Sequence, residues 1–168
     1  MINLGKHFEK TEVTKEQLQA INELLGIKES KVWKPEYDEI YYTIYGAGEL
    51  NCDTWSNYGH EINRYELDNV FKTKEEAEFA RDKQIFLTKM KRDFIENSDE
   101  IDWGDSDQEK NYLCYSHGSS DLGIYTCYDF QHSQLVVTNY KWLEQYAREN
   151  EKDIIKYYLG VKENENEF

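Results

Sequence analysis

The sequence predicts an α+β fold: two similar antiparallel strand-strand-strand-helix halves forming one compact unit, with a short N-terminal helix. Three observations predict it. Runs rich in Tyr, Ile, Thr and Val, broken by glycine-containing turns, alternate with segments of helical period. The chain has 14 Tyr, 7 Phe and 4 Trp to build a core, although 34 Asp+Glu against 20 Lys+Arg leave a net charge of −14. Its 168 residues, with a single proline and no Ser- or Gly-rich linker, suit one good core better than two.

Thr14 with Gln17 three residues later forms a capping box. Leu18, Ile21, Leu24 and Leu25 then make an apolar stripe, and Gly26 offers a left-handed stop, so residues 1–32 read as a helical segment. Pro35 marks the boundary of an α+β domain over 33–161, with halves at about 33–97 and 110–161 and an acidic tail at 162–168. Glu39 to Tyr45 and Glu49 to Trp55 predict a hairpin turning at Gly46-Ala47-Gly48. Glu61 to Phe71 is expected as a third strand through Ile62, Tyr65, Leu67 and Val70. Thr73 and Glu76 form a second capping box, opening a long helix to about Asn97 with Ala80, Leu87, Met90 and Phe94 on one face, widened by Phe79 and Phe86.

The second half repeats the plan. Asn111 to His117 and Gly123 to Phe130 predict strands around Gly118-Ser119-Ser120-Asp121, and Gln134 to Thr138 a short third strand. Asn139 caps a helix carrying Trp142, Tyr146 and Ala147, and a last turn from Asp153 to Leu159 stops at Gly160. Phe79-Ala80-Arg81 returns as Tyr146-Ala147-Arg148, and Gly48 to Cys52 has the spacing of Gly123 to Cys127.

Composition excludes several roles. No apolar run approaches the roughly 18–20 residues that span a bilayer, and the first ten residues lack a signal-type stretch, so a cytoplasmic protein is expected. Strong negative charge argues against direct nucleic-acid binding, because phosphate contacts need a basic groove; the tyrosines read as core and rim residues. Gly46-Ala47-Gly48 is too short for a phosphate loop, and no nucleophile elbow or paired His motif occurs. No enzyme activity and no cofactor are therefore expected. A rival hydrolase would recruit His60, His117 or His132 with Ser116, Ser119 or Cys114, and the clustering of His117, Asp121 and His132 would favour it.

Two constellations invite a metal. Asp102, Asp105, Asp107 and Glu109 are oxygen ligands in a short span, but Gly104 is misplaced for a calcium loop, and a solvated acidic segment is the preferred reading. With Ser120 and Asp121 at the hairpin tip, the register sets Cys114 opposite Cys127, Tyr112 opposite Asp129 and Ser116 opposite Tyr125. Leu113, Tyr115, Ile124 and Tyr128 then face the core. Plain thiols are preferred there; a metal site or a redox pair are the alternatives.

Trp33-Lys34-Pro35 followed by Ile40-Tyr41-Tyr42-Thr43-Ile44, then Asn69-Val70-Phe71-Lys72-Thr73-Lys74-Glu75-Glu76-Ala77, Ile101-Asp102-Trp103, and Ile154 to Val161, together resemble a family. It is a group of small acidic accessory proteins of phages and prophages of low-GC Gram-positive bacteria. Where such proteins open their second helix with an acidic cap segment, this chain has Asn139-Tyr140-Lys141-Trp142. The resemblance implies a mobile-element origin and a role in modulating host machinery. The expected function is inhibition of a host defence factor, in the manner of an anti-CRISPR protein, by a surface that competes for a basic nucleic-acid-binding channel. A hydrolase of nucleotide or RNA, or a phage assembly protein, are the alternatives. The partner-binding candidates are Glu96, Asp99, Glu100, Asp102, Asp105, Asp107 and Glu109, with Trp103 as an anchor.

Overall fold

The computed structural model describes Thr14, Gln17, Leu24, residues 32–129 and residues 134–161. Among the first of these, the capping box is present: the Gln17 amide N–H donates to Thr14 Oγ1 at 3.3 Å, and the Thr14 N–H to Gln17 Oε1 at 3.0 Å. Gln17 and Leu24 are helical. Leu18, Ile21, Leu25 and Gly26, the acidic tail, Phe130 and His132 lie outside the described residues.

The fold is α+β, with two separate two-stranded antiparallel sheets and three helices among the described residues. Strands β1 (Ile40–Ile44) and β2 (Leu50–Thr54) pair from Ile40↔Thr54 to Ile44↔Leu50. Gly48 carries the turn at φ 80°, a conformation that suits glycine. The pleat buries Tyr41 and Thr43 completely and leaves Ile40 exposed.

The expected third strand over Glu61 to Phe71 is instead a helix, α1 (Gly59–Glu66). Its buried Glu61 carboxylate accepts N–H bonds from Tyr58 at 2.8 Å and Ser56 at 3.0 Å, satisfying amides before and at the helix start. Ile62 and Tyr65 are three apart, a helical spacing that no single strand face can present. Only Phe71 joins the sheet, exchanging two 2.9 Å backbone bonds with Tyr42. Beside it, the Asn69 side-chain amide stands in for a strand residue. Its Oδ1 accepts the Ile44 N–H at 2.8 Å and its Nδ2 donates to the Ile44 carbonyl at 2.9 Å.

Helix α2 (Lys74–Glu96) starts where its capping box requires, with Thr73 Oγ1 accepting from the Glu76 N–H. Ala77 near one end is buried, and Met90 and Phe94 near the other enter the main core. β3 (Lys110–Ser116) and β4 (Asp121–Cys127) form the second hairpin. Its tip holds four residues, His117 to Ser120, with Ser120 at φ 56°, so Ser116 pairs with Asp121. The register therefore slips by four from the expected one. Cys114 lies opposite Gly123 and Cys127 opposite Lys110, and the two thiols do not face each other. An even slip keeps every side chain on its face, so Leu113, Tyr115 and Ile124 still share one side of the ladder.

The third strand expected over Gln134 to Thr138 is reduced to one bridge, Asn111↔Val137, with two 2.9 Å bonds. The Asn139 side chain then accepts from the Trp142 N–H and opens α3 (Tyr140–Asp153). Asn150 leaves helical geometry, and its side chain donates to the Tyr146 carbonyl at 2.9 Å, an intrahelical competitor that accounts for the kink. A π-turn over Ile154–Tyr158 follows; Gly160 at φ 66° ends it, with the Val161 N–H returning to the Ile155 carbonyl.

The repeat of plan is visible in part. In both halves a bridging residue, Phe71 or Val137, precedes the cap, Thr73 or Asn139, by two positions. The short repeated phrases are not equivalent: Gly48 lies in a turn and Gly123 within β4, while Phe79 is exposed and Tyr146 buried. The core is likewise uneven. Met90, Phe94, Leu113, Val137, Leu143, Tyr146, Ala147 and Ile154 form one cluster, in which Phe94 meets Trp142 and Tyr146 edge-on at 5.4 and 5.8 Å. The first hairpin has its own small aromatic centre, where Tyr41 packs edge-on against fully buried Trp55.

Candidate functional site

The acidic junction between α2 and β3 holds all eight residues singled out from the sequence. Glu96, Asp99, Glu100, Asp102, Asp105, Asp107 and Glu109 are exposed, and Trp103 is half-buried. This segment is braced rather than loose. Asn97 closes α2 by donating from Nδ2 to the Asp93 carbonyl at 2.8 Å. Ser98 and Asp99 are clasped to Thr138: the Asp99 N–H reaches Thr138 Oγ1 at 3.0 Å, and the Thr138 N–H reaches Ser98 Oγ at 3.2 Å. Gln108 ties the loop across itself, accepting from the Asp102 N–H and donating to the Glu100 carbonyl, both at 2.9 Å. Asp102 and Asp105 each fold the chain locally by accepting an N–H two residues on, from Gly104 and Asp107 at 2.8 Å.

At the centre of the loop sits a buried cation that belongs to the chain. Lys110 is fully buried, and its ammonium donates to the carbonyls of Asp105 at 2.8 Å, Gln108 at 3.0 Å and Tyr128 at 2.6 Å. It also lies 5.6 Å from the centroid of the Trp103 ring, so that ring is committed to a cation–π contact inside the loop. The carbonyl cage is thus filled by a tethered ammonium. Among the described residues no group of three or more His, Cys, Asp or Glu is arranged to hold a metal.

Beside the loop lies a hollow of about 400 Å³ that the sequence did not announce. Phe94, Ile95, Ile101, Leu135 and Val136 supply its apolar lining, with Asp99 and Glu100 beside them. The signal was present in Ile95, which falls off the buried stripe of α2 and is 67% exposed, and in Ile101, an aliphatic residue within an acidic run. A larger cleft of about 840 Å³ lies between the first hairpin turn, Leu67 to Asn69, and α2. Its lining includes Arg81, whose guanidinium is held by Asp82 at 2.8 Å, and two strongly exposed apolar residues, Leu67 and Ile85.

The rival hydrolase residues are placed as follows. Ser119 Oγ contacts Ser116 Oγ at 2.7 Å and Asp121 Oδ1 at 2.5 Å, at the exposed tip of the second hairpin. His117 lies edge-on to Tyr115, with ring centroids 5.1 Å apart, and His60 stacks on Tyr58 at 6.1 Å. Cys52, Cys114 and Cys127 are free thiols, and burial raises the Cys114 thiol above its ordinary range.

Comparison of the chain with protein-family models, with curated proteins and with solved structures returns no match. Among the described residues, no helix is long and apolar enough to cross a membrane.

Proposed function

We propose that this chain is a phage or prophage accessory protein that acts by binding, inhibiting a host defence factor in the cytoplasm of the bacterial host. Its acidic junction competes with nucleic acid for a basic channel. The observation that carries this reading is the braced loop from Glu96 to Glu109, which presents seven exposed carboxylates on a segment tied to both α2 and Thr138. A channel that evolved for phosphates attracts such a surface over several ångströms, which speeds encounter and makes binding salt-sensitive. Bracing reduces the ordering entropy lost on association, so more of the electrostatic attraction survives as affinity.

The test is capture of partners from host lysate, followed by competition with a nucleic-acid duplex. Glu96→Gln, Glu100→Gln, Asp107→Asn and Glu109→Gln together remove four charges while sparing the Asp102 and Asp105 carboxylates that shape the loop. Wild-type protein should retain a nucleic-acid-handling partner at low salt, release it at high salt and be displaced by the duplex; the neutralised variant should bind more weakly. Capture that ignores salt and duplex alike would overturn the reading.

A further inference from the structure

The apolar hollow beside the acidic loop has a rim of opposite character. Ile95, Ile101, Leu135 and Val136 line it, and Asp99 and Glu100 stand at its edge, with Lys91 as the cation of the lining among the described residues. Its walls are held from outside. The Leu135 N–H donates to Tyr158 Oη at 2.9 Å, and Asp99 is clasped to Thr138. A volume of about 400 Å³ admits one large apolar side chain and part of another, within the usual size range of preformed sites.

We propose that this hollow receives an aliphatic or aromatic side chain of a partner protein segment that carries Lys or Arg on either side of it. The inference rests on the acidic-face reading and adds to it the anchor that charge alone lacks. Exposed charge pairs contribute little each, whereas a buried apolar anchor surrounded by a polar rim is the usual source of binding energy. Charge complementarity chooses the occupant. A second copy of this chain brings a net charge of −14 to the same rim, and an anionic lipid surface brings phosphate; both are repelled. A basic segment is attracted by Asp99 and Glu100 while its apolar residue leaves water. Trp103 is already engaged with Lys110, so the exposed Ile95 takes the anchoring role on this side.

The experiment uses the full chain, labelled for amide NMR, and three blocked peptides: Lys-Arg-Leu-Arg-Lys, the same with Gly for Leu, and Ser-Ser-Leu-Ser-Ser. The Leu-containing basic peptide should shift the Ile95, Ile101 and Leu135 resonances saturably and bind at least tenfold more tightly than the other two. Ile95→Ser should remove that advantage and leave the Gly peptide unchanged; Glu100→Gln should weaken both basic peptides and lower their salt sensitivity. Equal binding of the Leu and Gly basic peptides overturns the hollow but leaves the acidic face standing. Equal binding of the two Leu peptides overturns the charged rim. Shifts that depend on protein concentration without peptide point to a second copy, and no shift at Ile95 with any peptide sinks the proposal outright.

Discussion

Replacing Lys110 with Met removes the charge at the centre of the acidic loop while keeping most of the buried stem. The ammonium makes three bonds, at 2.6 to 3.0 Å, to carbonyls of Tyr128, Asp105 and Gln108. Hydrogen bonds involving a charged group are each worth about 1.5–3 kcal/mol, so the gross loss is several kcal/mol. Two effects offset part of it. The substitution cancels the desolvation of a fully buried cation, itself several kcal/mol, and the carbonyls on the loop can turn to water. The net expectation is a loss of about 2–4 kcal/mol, a large fraction of the roughly 5–15 kcal/mol that holds a domain together. Urea denaturation measures it, and the midpoint of thermal unfolding should fall by roughly 4–16 °C. Trp103 supplies a local signal, because its ring lies 5.6 Å from the same ammonium: the emission change on mutation should vanish in a Trp103→Phe background. A stability change below about 0.5 kcal/mol, with unchanged emission, would refute the view that Lys110 organises the loop.

Two further outcomes are expected. Burial, with the Asp93 carboxylate as a second cause, holds the Tyr146 phenol well above the ordinary Tyr range, and burial also raises Tyr41, Tyr112 and Tyr158. A pKa raised in the folded state keeps the proton on the native protein while the unfolded chain loses it. The stability these phenols contribute is therefore full below about pH 10 and falls as pH rises beyond it, and Tyr146→Phe should flatten that fall in melts taken from pH 8 to 11. The offset of Cys114 from Cys127 predicts three titratable thiols in protein unfolded without reductant; a Cys114–Cys127 disulfide, identified by peptide mapping, would show that the hairpin register is wrong.

Much of the fold is legible residue by residue. Thr73 with Glu76, and Asn139, announce helix starts because a cap needs only a side-chain oxygen and an amide a few positions on. The first hairpin turn and the face parity of the second hairpin follow from glycine placement and alternation. α1 escaped notice because its N-cap is Tyr58, a residue without the usual capping chemistry, and its capping carboxylate Glu61 reaches back to Ser56. The second register was missed by four residues because the tip centres between Gly118 and Ser119 rather than between Ser120 and Asp121, a shift of two positions that leaves parity unchanged.

The same division holds at the candidate site. That seven carboxylates between Glu96 and Glu109 face water was determined by composition alone, since ionised groups stay solvated unless paired. What the tertiary structure decided is how they are held. Lys110 is caged only because Tyr128, eighteen positions away, brings its carbonyl to the ammonium. Ile95 and Ile101 line a hollow only because Leu135 and Val136 arrive against them. Local physics fixes which residues want water; the meeting of distant segments decides which of them surround a buried cation, and which leave room for a partner.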